Sequence, residues 1–203
     1  MGRQSTYNRV GVLQATTALF QERGFHRVSV RDLVAATGLN RFALYEKFGG
    51  KEGLFYETLD YYHRVIVEEQ LLGSLRRDDA SMETLLRMLE VVRGINKDHS
   101  RRPGCLIVNA NIELGGLDER VVMTAEAVIG SFRKAAAHTL TCAKRAGVLR
   151  ADKPTERCAE HIAVQIQAFF ALAYISRDAA DSLIALLIDE VESWRAASSR
   201  SVA

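Results

Sequence analysis

Residues Ser29 to Phe55, SVRDLVAATGLNRFALYEKFGGKEGLF, set two short helical stretches on either side of a Thr-Gly break, and a further helix opens straight after a Gly-Gly pair. Ser29 suits a helix N-cap, because its hydroxyl accepts from a backbone N–H that the first turn leaves without a partner. Asp32, three residues on, stands where the reciprocal half of a capping box belongs. Val30, Leu33 and Val34 recur at helical spacing and face a core. Thr37-Gly38-Leu39 ends this helix: Gly38 takes up the left-handed conformation easily, and Leu39 tucks back inside. Asn40 caps the next helix, which runs through Arg41, Phe42, Ala43, Leu44 and Tyr45 and stops at Gly49-Gly50. Lys51 and Glu52 open the one after it. Helix, short glycine-containing turn, helix is the helix-turn-helix arrangement, whose second helix enters the major groove of DNA.

An ordinary helical hairpin carries the same kind of turn, so the chemistry around it matters. The second helix is short and bears Asn40 and Arg41 at its N-terminal end, where this motif reads base edges. Arginine pairs with guanine and asparagine with adenine. Charge is also uneven. Through Leu54 there are eight Lys/Arg against four Asp/Glu, a net of +4; beyond it there are 19 against 21, a net of −2. A solvated surface explains such charges equally well alone. Together with the turn they describe a phosphate-facing module on a body that does not touch DNA.

The run ALFQERGFHRVSVRDLVAATGLNRFALYEKFGGKEGLF, from Ala18, resembles the DNA-binding domain of the TetR family of bacterial transcriptional regulators. It carries, in order, a first helix ending in Gly24-Phe25, a capped second helix, the Thr-Gly turn, a Leu-Tyr-x-x-Phe recognition helix and Lys-Glu-x-Leu at the start of the fourth. Phe42 stands where small residues are common in the family, and Lys47 where His or Tyr often stands. The resemblance implies that Asn40, Arg41 and Phe42 meet base edges, with Phe42 against a thymine methyl. It implies that Tyr45, Lys47 and Lys51 grip phosphates, Lys51 aided by the positive end of its helix. Ser29 is expected to donate to a phosphate as well as cap, and Arg3 to reach DNA from the N-terminus. Leu33, Leu39, Leu44 and Phe48 form the small core of this domain. A first helix from about Asn8 to Arg23 packs behind them through Val10, Leu13, Thr17 and Phe20.

No β-alternating run stands out, so the chain reads as all-α. It comprises an N-terminal three-helix helix-turn-helix domain over residues 1–50 and a C-terminal helical ligand-binding and dimerisation domain over 51–203, about nine helices in all. At 203 residues, 48% of them hydrophobic, it has the means for a real core. Neither a signal peptide nor an apolar run approaching the ~20 residues of a membrane span is evident, so no membrane partner is expected and the cytoplasm is the expected compartment. Cys105, Cys142 and Cys158 are odd in number and widely spaced, which argues against a disulfide framework and gives no metal-ligand pattern. No nucleophile–base pair or phosphate-binding glycine loop suggests an enzyme, and no cofactor is expected.

Beyond Lys51 the expected helices are longer: Lys51 to about Leu72, Ser81 to about Asn96, Cys105 to Leu114, Asp118 to Ala146, one after Pro154 to about Arg177, and one from Asp178 or Asp181 to about Ala196. The last two carry broad apolar faces. The family resemblance implies that they pair with their copies in a four-helix homodimer interface, for which Ile166, Phe170, Leu183, Leu187, Val191 and Trp194 are the candidates. Two heads in a symmetric dimer read a palindrome. Polar residues inside apolar stretches suggest a pocket for a small-molecule effector, with Cys105, Asn109, Glu113, Gln165, Phe169 and Tyr174 as candidate lining, although each such residue is more often a surface or satisfied core group. The segment from Pro103 to Leu114 also resembles a stretch common in one TetR subgroup, in a region that helps transmit ligand binding to the heads. The expectation is a dimeric repressor released from a double-stranded operator by a small molecule. A redox sensor working through Cys105 on the same fold, and a helical protein or enzyme that does not bind DNA, are the alternatives.

Overall fold

The computed structural model describes residues 8–97 and 104–196. Expectations for Arg3, for the loop from His99 to Pro103 and for the tail from Ser198 lie outside the described residues. Among the described residues the chain forms nine α-helices and no strand: α1 Arg9–Arg23, α2 Val30–Thr37, α3 Arg41–Phe48, α4 Lys51–Tyr61, α5 Met82–Lys97, α6 Leu106–Leu114, α7 Glu119–Arg145, α8 Thr155–Ile175 and α9 Arg177–Ser193. The helix expected to run unbroken from Lys51 to Leu72 changes its winding part-way. After α4 the backbone continues as a π-helix, Tyr62–Leu71, and the Leu72 N–H donates to the Val67 carbonyl five residues back at 2.9 Å. A short 3₁₀ turn, Gly73–Arg76, follows.

The chain divides into two compact units, Met1–Ile66 with Cys105–Ala125, and Val67–Gly104 with Glu126–Ala203. The unit around the helix-turn-helix therefore takes in more than residues 1–50. Segment 105–125 belongs to it because its polar side chains bond there: the Tyr56 hydroxyl donates to Asp118 at 2.6 Å, and the Arg120 guanidinium lies 4.2 Å from the Tyr56 ring centroid. The bond to Asp118 raises the Tyr56 pKa above its ordinary value.

In the first unit α1, α2 and α3 each start on a side-chain cap. Asn8 accepts from the Gly11 N–H at 3.2 Å, and Asn40 from the Ala43 N–H at 2.8 Å. Ser29 and Asp32 form a complete capping box. The expected small core is in place, with Leu33, Leu39, Leu44 and Phe48 all buried. The stripe on α1 is rotated from the expected one. Val12, Leu13, Thr16 and Phe20 face inward, whereas Val10 is 52% exposed and Thr17 half-buried. Threonine at 16 and 17 hides the phase, because either hydroxyl can bond back to its own helix. Both do so here, to carbonyls one turn earlier.

In the second unit α5 carries Leu85, Leu89 and Val92 fully buried, as their spacing predicts. The Arg93 guanidinium grips Asp181 of α9 with two bonds, 2.8 and 3.0 Å, and Asn96 donates to the Arg177 carbonyl at 2.9 Å. The chain ends of α7 and α9 are tied by an antiparallel bridge between Leu149 and Arg195. Contrary to the sequence expectation, one helix among the described residues, α8, is long and apolar enough to cross a membrane by length and composition. One side of it serves the unit's own core: Ile162, Ala163, Ile166 and Phe169 are all fully buried.

Candidate nucleic-acid interface

The glycine between α2 and α3 is where the backbone turns. Gly38 has φ of 71°, the left-handed region that costs a residue with a Cβ, and its N–H donates to the Val34 carbonyl at 3.0 Å to close α2. The Leu39 N–H donates to the Thr37 hydroxyl at 3.3 Å, and the Leu39 side chain is buried. This turn anchors the start of α3. Its far end is set by α4: a Cβ at Gly53 would stand 1.7 Å from the Phe48 carbonyl oxygen, so the two helices touch backbone to backbone. Nothing in the hydrophobic pattern of the sequence marks Gly53; its position one turn inside a helix, where glycine is unfavourable, is the signal that could have found it.

Leu44 and Phe48 fix the buried side of α3, which leaves the opposite side exposed. There Arg41, Phe42, Tyr45 and Lys47 all face solvent. Phe42 is 75% exposed, an unusual position for so large an apolar ring, and the Arg41 guanidinium lies 5.9 Å from the Tyr45 ring centroid. A cavity of about 510 Å³ opens beside them, lined by Asn8, Gly11, Thr37, Gly38, Asn40 and Lys47 among others. Of its lining, Asn40 and Lys47 carry groups that can donate to a sugar-phosphate backbone, while Val12, Leu39 and Ala43 are apolar.

Two expected roles are narrowed by geometry. The Ser29 hydroxyl donates to Asp32 at 2.6 Å while accepting from the Asp32 N–H at 3.2 Å, so its proton is committed to the cap rather than to a phosphate. That bond holds the Asp32 carboxyl below its ordinary pKa. The Asn40 oxygen likewise accepts from its own helix, and the amide nitrogen carries the donors of that side chain. Lys51 sits at the first position of α4, half-buried, with its ammonium 4.3 Å from the Phe25 ring centroid.

The six effector-site candidates fall three to each unit. In the first, Cys105 and Asn109 are buried, and the Glu113 carboxylate is bonded to backbone: it accepts from the Phe25 N–H at 3.0 Å and the His26 N–H at 2.7 Å. In the second, Phe169 is fully buried with its ring 5.1 Å from that of Phe170, Gln165 is half-buried, and Tyr174 is exposed. Among the described residues of that unit, two buried polar atoms have no hydrogen-bond partner, Asn96 Oδ1 and Gln167 Nε2, and Asn96 carried no sequence signal. Cys105 is poorly placed to sense oxidants. Burial raises the pKa of its thiol, and it lies against the buried Tyr62; a reactive cysteine needs thiolate character and access.

The expected dimer residues need correction as well. Ile166, Phe170, Leu187, Val191 and Trp194 are buried within the single chain, and Leu183 is half-buried. The apolar residues that α8 and α9 leave outside are Val164, Ile175 and Leu186, the last 70% exposed. Partly exposed Ala168, Ala171 and Leu172 continue the α8 stripe at helical spacing. With apolar residues on both sides of each helix, periodicity did not reveal which side the chain's own core takes.

Residues 12–58 match the model of the bacterial regulatory proteins of the tetR family, and residues 81–186 match a tetracyclin repressor-like C-terminal domain. The chain is 27% identical over 170 residues to an uncharacterized HTH-type transcriptional regulator in the lacX 3′ region of Lactococcus lactis subsp. lactis, covering 82% of this chain and 83% of the relative. It is 33% identical over 104 residues to the HTH-type transcriptional repressor BdcR of Escherichia coli strain K12, covering 51% of each. Among solved structures, a cysteine-substituted form of the TetR family regulator CifR in complex with a 26-base-pair operator has a TM-score of 0.71 at 22% identity, over 92% of this chain and 98% of that one. At that identity the likeness is one of fold.

Proposed function

The chain belongs to the TetR family of bacterial regulatory proteins, a DNA-binding transcriptional regulator, and from that premise we propose that it is a dimeric repressor released from a palindromic operator by a small molecule. The observation that carries the reading is the outer side of α3. Arg41, Phe42, Tyr45 and Lys47 stand exposed on a helix anchored at both ends, which is how a recognition helix presents side chains to a major groove. Asn40, Arg41 and Phe42 read base edges, while Tyr45, Lys47 and Lys51 hold phosphates.

Dimerisation is supported by the apolar stripe of Val164, Ala168, Ala171, Leu172 and Ile175 on α8 and by Leu186 on α9, which a lone chain leaves in water. An effector site in the second unit is supported by the buried, unpartnered Asn96 Oδ1 and Gln167 Nε2, which a polar ligand would satisfy. BdcR, named a repressor, lends the sign of regulation. Such a protein works where the chromosome is, in the cytoplasm. Ligand and operator then oppose each other through one coupling free energy, typically ~1–3 kcal/mol.

The test is a gel-shift series with duplexes that the parent protein selects from a random pool. Arg41→Ala and Lys47→Ala are expected to bind more weakly, Lys47→Ala with a salt slope reduced by about one. Parent-like binding by both variants sinks the assigned reading head.

A further inference from the structure

Glu113 lies on α6, away from the exposed side of α3, yet it bonds the loop that leads into α2. Its two carboxylate oxygens take one backbone N–H each, Oε2 from Phe25 at 3.0 Å and Oε1 from His26 at 2.7 Å. Two successive N–H groups converging on one anion make an anion-binding nest, and bonds to a charged acceptor are the strong kind. The nest follows Gly24, whose φ of 76° turns the chain at the end of α1. What the clamp fixes is Phe25. The ring of Phe25 packs 4.7 Å from that of Phe55 and 6.4 Å from that of Phe20, centroid to centroid, and the Lys51 ammonium rests 4.3 Å from its centre.

We propose that Glu113 is a positioning residue for DNA binding: its carboxylate holds Phe25 as the plate on which the Lys51 ammonium is seated for a backbone phosphate. The inference rests on the DNA-reading role of the head and adds a residue to it. A free lysine side chain carries considerable rotamer entropy that it must give up on gripping a phosphate. One already seated on a ring gives up less, which is preorganisation. The same carboxylate favours the charged form of the seated group and offsets part of the downward pull of burial on the Lys51 pKa. Partial burial pulls the Lys51 pKa down, and the negative charges of Glu113 and Glu52 pull it back up. An acidic residue thus strengthens binding to a polyanion, against the sign that its own charge suggests.

A double-mutant cycle on duplex DNA selected by the parent protein tests this. Glu113→Ala and the near-isosteric Glu113→Gln are each expected to weaken binding about tenfold, the scale of losing hydrogen bonds to a charged group. Lys51→Ala should weaken it as well, and Glu113→Ala in the Lys51→Ala background should cost nothing more. Amide hydrogen exchange should accelerate at Phe25 and His26 in Glu113→Gln, with its helical content close to the parent's. Parent-like DNA binding by Glu113→Gln, penalties that multiply in the double variant, or unchanged exchange at the two amides would overturn the proposal. Arg41→Ala is the control that separates the two readings. If it too binds like the parent, the reading head itself is misassigned; if it binds weakly while Glu113→Gln does not, only the seat is wrong.

Discussion

The hydroxyls of Thr16 and Thr58 meet at 2.8 Å inside the first unit, both fully buried, and join α1 to α4. Each oxygen also lies within bonding distance of a carbonyl of its own helix, Thr16 of Val12 and Leu13 and Thr58 of Leu54. One proton can therefore serve the pair while the other serves a helix. Thr58→Val keeps the shape and removes one member of the pair. It is expected to lower stability by about 1 kcal/mol, and Thr16→Val/Thr58→Val by less than the sum of the single changes, because no buried hydroxyl is then left without its mate. Chemical denaturation measures both; a Thr58→Val variant as stable as the parent would show that the pair contributes nothing net.

Gly53 sets the approach of α4 to α3. With the Phe48 carbonyl 1.7 Å from where a Cβ would stand, Gly53→Ala must move a helix, since the obstacle is backbone. The expected loss is about 1–3 kcal/mol, the range for overpacking, despite the better helix propensity of alanine. An alanine variant that melts at or above the parent temperature contradicts this contact.

On α9, Leu186 and Leu187 are neighbours with opposite surroundings, one largely exposed and the other buried. As a prediction from the dimer hypothesis, Leu186→Asp should shift the sedimentation of the protein from dimer to monomer and leave its helical content intact. Leu187→Asp should instead unfold the second unit, since it places a charge without a partner in the core. A Leu186→Asp variant that remains a dimer at micromolar concentration removes the outer stripe as the interface.

Acid should weaken the second unit through its carboxylate–guanidinium contacts. Arg195 bonds Glu83 at 2.6 Å and holds its pKa down from 4.5 to about 2, and Arg93 lowers that of Asp181. A folded pKa below the unfolded one means that the stabilisation is complete above pH 4.5 and is lost as the pH falls toward about 2. Glu83 is well exposed, so solvent and salt screen the pair and its share is small. Glu83→Gln is expected to flatten the unfolding temperature against pH across that window, lying slightly below the parent near neutrality, where the pair is fully formed, and meeting it toward pH 2. An identical pH profile for variant and parent means that the pair does not contribute.

Local chemistry was legible from residue types. Ser29, Asp32, Gly38 and Asn40 act within four residues of themselves, so their caps and turn can be read off a line of letters, and the structure has them as read. The stripe on α1 failed at Val10 and at Thr17; at the latter, Thr16 and Thr17 look alike in sequence and only packing on Thr58 selects between them. Glu113 looked like a polar residue awaiting a ligand because its partners are backbone groups 87 and 88 positions away, and backbone donors leave no mark in a sequence.

The sequence by itself determined an all-α chain with a helix-turn-helix head, because capping, glycine turns and helical periodicity are short-range. Only the tertiary structure decided which of two apolar sides of α8 and α9 is core, which threonine faces inward and what Glu113 holds. Those outcomes depend on burial and hydrogen bonding between segments far apart in the chain, and an amphipathic helix takes its inner face from the neighbours it meets.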